Sequence, residues 1–247
     1  MMRSPSSRPS EAGPEPKCEQ GAEMSIAEIR YMSPFDARNT AHARFDRTAA
    51  DIARGKTIVL FDPACGESNL VVAAEHATTE SVAFMIRHTS GFVKVAVPEE
   101  DCVRLQLPQM WQLVQSAESS IPSVTVDAVE GIGTGISAAD RAHTIRTIAD
   151  PRTDSSALSR PGHVAPLIAR GAGSGMAESV VRLMRSAGVR PMGALCELVS
   201  PVDATRMANK EESLGFASDH ALTFLSVFDV AMCMPVVPKF EPMVRLP

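Results

Sequence analysis

The sequence predicts an α+β fold. Apolar runs of strand length recur along the chain, segments with helical spacing lie among them, and the two kinds do not alternate strictly, as a doubly wound sheet would require. The chain has 247 residues, 45% of them hydrophobic, enough for one domain with a sizeable core. Only 4% are aromatic, so that core must be built from Ala, Val, Leu, Ile and Met.

Residues 1–24 are rich in Pro, Ser, Glu and Gly, carry almost no large apolar side chain, and read as a disordered tail. A single domain is expected over residues 25–234. Residues 35–54 form an amphipathic helix with Phe45, Ala49 and Ile52 on one stripe and Gly55 as its stop. Residues 57–61 (TIVLF) and 70–74 (LVVAA) are buried strands joined by a polar loop, 62–69. A helix over 79–88 ends at Ser90-Gly91, and a strand follows at 92–97. Residues 123–127 alternate as a strand that runs into Gly131, Gly133 and Gly135.

After Ser137 the period changes to helical, with Ala138, Ala139, Ala142 and Ile145 on one side and Thr134 and Ser137 as candidate N-caps. A helix that opens from a glycine loop can receive an anion or hydroxyl. A strand at 164–169, a helix at 177–187 closed by Gly188, a strand at 193–199, a helix at 210–220 and a strand at 223–227 follow. Residues 235–247 form a Pro-rich tail.

Net charge is −5 and the pI about 5.7, with no basic run, which argues against a nucleic-acid partner. No stretch approaches the roughly 18 apolar residues of a membrane span, so no membrane is expected. The five cysteines (Cys18, Cys65, Cys102, Cys196, Cys233) are odd in number and lack CxxC spacing, which indicates neither a disulfide framework nor a zinc site. A reducing, cytoplasmic setting fits, and the chain start lacks the pattern of a secretory signal.

Five ordered motifs are AAE at 73–75, LQLPQM at 105–110, TGISAADRAHT at 134–144, RPGHVAPL at 160–167 and LCEL at 195–198. Together they resemble the 3,4-dihydroxy-2-butanone 4-phosphate synthase family of the riboflavin pathway, over residues 45–229. The resemblance implies a three-layer α/β/α arrangement around a mixed sheet and a homodimer with its sites near the subunit interface. It also implies a magnesium-dependent reaction in which ribulose 5-phosphate loses one carbon as formate and leaves a four-carbon phosphorylated product.

Two family motifs depart from the pattern. Where the family has Arg-Glu-Asn-Glu-Gly-Asp, this chain reads Ala64, Cys65, Gly66, Glu67, Ser68, Asn69, and the first glutamate, a magnesium ligand, falls on Cys65. Where the family has Gly-His-Thr-Glu-Ala, the metal-binding histidine falls on Met176 and the phosphate-holding threonine on Ala177. Sulfur is a poor donor for a hard cation, so no metal or other cofactor is expected. The expected function is therefore metal-independent proton-transfer or lyase chemistry on a small sugar-like or other polar carbonyl compound. The alternatives are a catalytically silent homologue that binds a ligand or an active paralogue, and an ordinary synthase.

His163, Glu197 and Glu67 are the expected catalytic residues. Histidine as a residue type suits proton shuttling, and the resemblance places His163 in the substrate site. Glu197, in the apolar run LCEL, either faces the surface or is a desolvated acid. Thr134, Ser137, Asp140, Arg141, Lys94 and Cys65 are the expected substrate-binding residues. Asp140 complements the helix dipole, and Arg141 either lines the site or lies on the surface. Lys94, between Val93 and Val95, stands where the family has a cysteine. It lies either on a wet strand face or inward, where a desolvated lysine serves as base or Schiff-base nucleophile. Cys65 is a nucleophile, a soft-metal ligand with Met176, or a small residue filling vacated space.

Overall fold

A computed structural model of the chain describes residues 34–110, 121–171 and 175–234; the tails expected at 1–24 and 235–247 lie outside them. Helix α1 (Pro34–Ala53) leads into the antiparallel hairpin of β1 (Ile58–Asp62) and β2 (Glu67–Ala73). Helix α2 (Thr79–His88) follows, then β3 (Lys94–Pro98), α3 (Glu99–Arg104), β4 (Ile121–Pro122) and β5 (Val126–Ala128). The glycine loop precedes α4 (Ala138–Ala149) and the long β6 (Leu158–Ala169). The chain closes with α5 (Met176–Ser186), β7 (Gly193–Glu197), α6 (Lys210–Asp219), β8 (Phe224–Ser226) and α7 (Val227–Cys233).

The strands form one mixed sheet in the order β4-β6-β3-β7-β2-β1-β8, with β5 pairing β6 off that path. β3–β6 and β1–β8 are parallel, whereas β1–β2, β2–β7 and β3–β7 are antiparallel. Alternation sends successive side chains to opposite faces. Val59, Leu70, Val72, Val95, Val97, Val164 and Ala194 meet Val82 and Met85 of α2, Ala142, Ile145 and Ile148 of α4, and Ala217 of α6. Ile58, Leu60, Val71, Ala73, Ala96, Leu167 and Leu195 meet Phe45 and Ile52 of α1, Val180, Leu183 and Met184 of α5, and Val230 of α7. Helices thus cover both faces of the sheet, the three-layer α+β arrangement expected.

Local chemistry explains the helix starts. Thr78 and Ser81 form a capping box on α2, and Ser137 caps α4 by accepting from Asp140 N. Thr134, the other cap expected there, does not fill that role. Several element boundaries differ from expectation: the strand expected at 92–97 spans Lys94–Pro98, that at 123–127 is confined to Val126–Ala128, and that at 193–199 ends at Glu197. β2 starts at Glu67 because Glu67, Ser68 and Asn69 pair with Asp62, Phe61 and Leu60, so the polar loop is only a tight turn. β6 reaches back to Leu158 because its first half is held by β5. The last strand stops at Ser226, where Ser226 and Asp229 cap α7 reciprocally.

Candidate active site

Asp127 and His163 form the best-defined polar pair. Asp127 is the middle residue of β5, and its buried carboxylate accepts from His163 N at 2.9 Å and pairs with His163 Nδ1 at 2.7 Å. The imidazole is 41% exposed against 8% for the Asp127 side chain. A carboxylate on one ring nitrogen orients the imidazole and sets its tautomer, which leaves Nε2 for an external proton. Gly162 lets the two strands approach this closely: a Cβ there would lie 2.0 Å from the Val126 carbonyl carbon.

The glycine loop closes over this pair. Gly135 has φ +84°, and a Cβ on it would lie 2.2 Å from Asp127 Oδ2 and 2.8 Å from His163 Nδ1. Asp140 holds the loop down by accepting from Gly135 N at 3.0 Å. The backbone N–H of Gly133, then that of Gly135 and the Ser137 hydroxyl, hold its carboxyl below the usual range. Asp140 thus shapes the loop, and Ser137 is committed to the helix cap. Thr134 stands exposed on the loop.

Arg141 is buried, not a surface arginine. Its Nη1 donates to Gly91 O at 2.9 Å, its Nε has no partner, and burial lowers its pKa. It braces the turn before β3 and lies within electrostatic reach of Asp127 and Cys196.

Lys94 and Glu197 form a second pair. Their side chains are 15% and 21% exposed and in direct ionic contact, and Ser90 Oγ donates to Glu197 Oε2 at 3.3 Å. Burial draws the Lys94 amine below the usual lysine range, while Cys196 and Glu67 act in the opposite direction. Lys94 therefore does not stand on a wet face.

Strand register relates the two pairs. Lys94 is opposite Ala165 on β6 and opposite Leu195 on β7, while Glu197 is opposite Asn69 on β2. His163 is two residues before Ala165, Glu197 two after Leu195, and Glu67 two before Asn69. Period-two alternation puts His163, Lys94, Glu197, Asn69 and Glu67 on one face of four adjacent strands. Further along the same face, Ala96, Leu195, Val71 and Leu167 are buried under α1, α5 and α7. Asn69 is itself buried, with an Oδ1 that has no partner.

Cys65 is exposed in the β1–β2 turn, and Met176 begins α5. A thiol and a thioether do not suit magnesium, and among the described residues no three His, Cys, Asp or Glu side chains are grouped to hold a metal ion. Of the residues expected from sequence, His163, Glu197, Lys94 and Glu67 share the face, and Asp140 and Arg141 support its rim. Asp127, Asn69 and Ser90 were not singled out. The available signal for Asp127 was a carboxylate inside the apolar alternation SVTVDA.

Residues 46–232 match the family model described as 3,4-dihydroxy-2-butanone 4-phosphate synthase. The riboflavin biosynthesis protein RibBA of Nocardia farcinica is 48% identical over 196 residues, covering 76% of this chain and 47% of that protein. RibBA of Mycobacterium tuberculosis is 44% identical over 191 residues, 75% of this chain and 45% of that protein. The chain thus spans about half the length of the curated relatives it matches. Among solved structures, a 3,4-dihydroxy-2-butanone 4-phosphate synthase in complex with two magnesium ions superimposes with a TM-score of 0.69 at 34% identity, covering 74% of this chain and 93% of that one. RibBX, a two-domain synthase from A. baumannii, gives 0.71 at 34% identity, covering 76% and 56%. Sequence, fold and the ordered motifs agree: the chain belongs to the 3,4-dihydroxy-2-butanone 4-phosphate synthase family.

Proposed function

We propose that this chain is a lyase-type enzyme that moves protons on a small polyhydroxylated carbonyl compound. The observation that carries this reading is the placement of two proton-carrying pairs, Asp127–His163 and Lys94–Glu197, on one face of adjacent strands, at an end that no helix among the described residues covers. His163 Nε2 takes a proton from the carbon next to the carbonyl, Asp127 stabilises the resulting imidazolium, and Glu197 relays a proton from the Lys94 ammonium to oxygen. Relatives at 44–48% identity named as riboflavin biosynthesis proteins support the family's own reaction on ribulose 5-phosphate better than a redirected one.

A second reading has its own observation in Cys65 and Met176: chemistry without magnesium on an unphosphorylated sugar-like compound. In either case the exposed Phe92, Val129 and Ile136, 54–57% accessible beside the glycine loop and β3, support a second copy of the chain packing near the site.

Carbon-13 NMR with labelled ribulose 5-phosphate, with magnesium and then with chelator, tests these readings. Labelled formate only with magnesium establishes the family reaction, and formate that survives chelation establishes metal-free chemistry. No turnover of ribulose 5-phosphate or of unphosphorylated ketoses by a folded protein would overturn the enzyme assignment and leave a ligand- or paralogue-binding homologue. Light scattering of the same sample reads the dimer.

A further inference from the structure

Lys94 combines four properties that a purely structural ion pair does not need. It lies mid-sheet on β3, between β6 and β7, with only 15% of its side chain exposed. Its partner Glu197 is also mostly enclosed and accepts a second hydrogen bond from Ser90, so a carboxylate is held beside the amine as a proton acceptor. His163 lies on the same face one strand away, its Cα about 8 Å from that of Lys94 for adjacent strands offset by two residues. Asn69, opposite Glu197, offers a buried carbonyl oxygen with no partner to receive a substrate hydroxyl.

We propose that Lys94 is a covalent catalytic residue, which forms a protonated imine with the carbonyl carbon of a hydroxyketone. The proposal deepens the reading above and rests on it for the substrate class. Glu197 takes a proton from the Lys94 ammonium, and the freed nitrogen lone pair forms a C–N bond to the carbonyl carbon. One of the two protons on the attacking nitrogen passes to the carbonyl oxygen, which becomes the hydroxyl of a neutral carbinolamine. Protonated by Glu197, that hydroxyl leaves as water, and the nitrogen lone pair closes the C=N bond. The iminium then withdraws the electron pair of the neighbouring C–H bond as His163 removes its proton, which gives an enamine. Reprotonation and hydrolysis return lysine and ketone, so no oxidant or reductant is consumed.

An iminium supplies the electron sink that a carbonyl-bound cation otherwise provides. The idea is consistent with sulfur side chains at Cys65 and Met176. Burial works in the same direction, because an amine drawn below the ordinary lysine range is more often neutral at neutral pH.

The test uses the full chain, dihydroxyacetone or ribulose 5-phosphate as probe, and cyanoborohydride, which delivers hydride to an iminium and traps it as a secondary amine. Intact-mass analysis is expected to show a gain equal to the probe less one oxygen, and peptide mapping to place it on Lys94 in preference to the exposed Lys56 and Lys210. The gain is lost in Lys94→Arg, which keeps the positive charge, and is slowed in Glu197→Gln. Adduct spread evenly over Lys56, Lys94 and Lys210, or retained in Lys94→Arg, overturns the proposal; the wild-type map decides even if a variant fails to fold. The two readings fail separately. Turnover that persists in Lys94→Arg removes the imine and leaves the enzyme assignment standing. Selective trapping at Lys94 with no turnover of any ketose leaves the imine standing and removes the assigned reaction.

Discussion

Gly135→Ala is the substitution that most directly probes how the glycine loop and the Asp127–His163 pair depend on each other. The backbone there has φ +84°, a region that costs an L-residue about 1–2 kcal/mol. The added Cβ would also meet Asp127 Oδ2 at 2.2 Å and His163 Nδ1 at 2.8 Å, distances at which the pair must separate. Loss of a hydrogen bond to a charged group costs about 1.5–3 kcal/mol, so the sum is about 2.5–5 kcal/mol. In a domain of this size that lowers the melting temperature by about 5–20 °C.

Gly188→Ala is the matched control. It has φ +72° and no atom within 4 Å of its built Cβ, so it carries only the backbone part, about 1–2 kcal/mol. Thermal and urea unfolding of both variants give the difference. Turnover of Gly135→Ala should fall by about 10²–10⁴-fold as the proton carrier is displaced, while Gly188→Ala keeps wild-type turnover. Equal melting temperatures for the two variants would refute the claim that the loop is seated on the pair.

Asp101 is buried and accepts from Arg104 Nε and Nη2 at 2.9 and 2.8 Å and from Arg190 Nη2 at 2.9 Å. Because both arginines keep some solvent contact, Asp101→Asn should cost about 2–3 kcal/mol in urea unfolding, and a change below about 0.5 kcal/mol would contradict that network. Burial among Asp101, Glu99 and Glu100 pushes the Cys102 thiol to about 12. At pH 8 about one part in 10⁴ is thiolate, so alkylation and peptide mapping should show Cys102 unmodified until unfolding while the exposed Cys65 reacts in the native protein. His88 packs against Phe84, Phe216 and His220, and burial, then the charges of His220 and Arg87, hold its pKa below the usual histidine range. The folded state then binds its proton at a lower pH than the unfolded chain, so stability is unaffected above about pH 6.5 and declines as pH falls below it. His88→Phe should flatten that decline in pH-dependent melting, and an unchanged slope would assign the effect elsewhere.

What was legible in the sequence follows the range of the forces involved. Helices α2 and α4 were readable because Thr78 and Ser137 cap them within three residues, and Gly55 and Gly188 end segments at φ +77° and +72°. Helix α7 was missed although its own signal was local, the Ser226 and Asp229 capping box, because the apolar run ahead of it reads as continuing strand. The polar start of β2 was read as loop for a different reason. Alternation cannot reveal a pairing partner, and Glu67 and Asn69 belong to a strand because they pair with Asp62 and Leu60 of β1.

The candidate site shows the same boundary more sharply. That Lys94 points inward depends on Glu197, 103 positions later, arriving on an antiparallel neighbour in a particular register. A one-residue slip of β7 would turn Glu197 to the opposite face and leave Lys94 without its partner. The residue types with useful chemistry were therefore visible in the chain, whereas their pairing was a property of the sheet. This is why His163 was named from its motif, and Asp127, 36 positions away, emerged only with the structure.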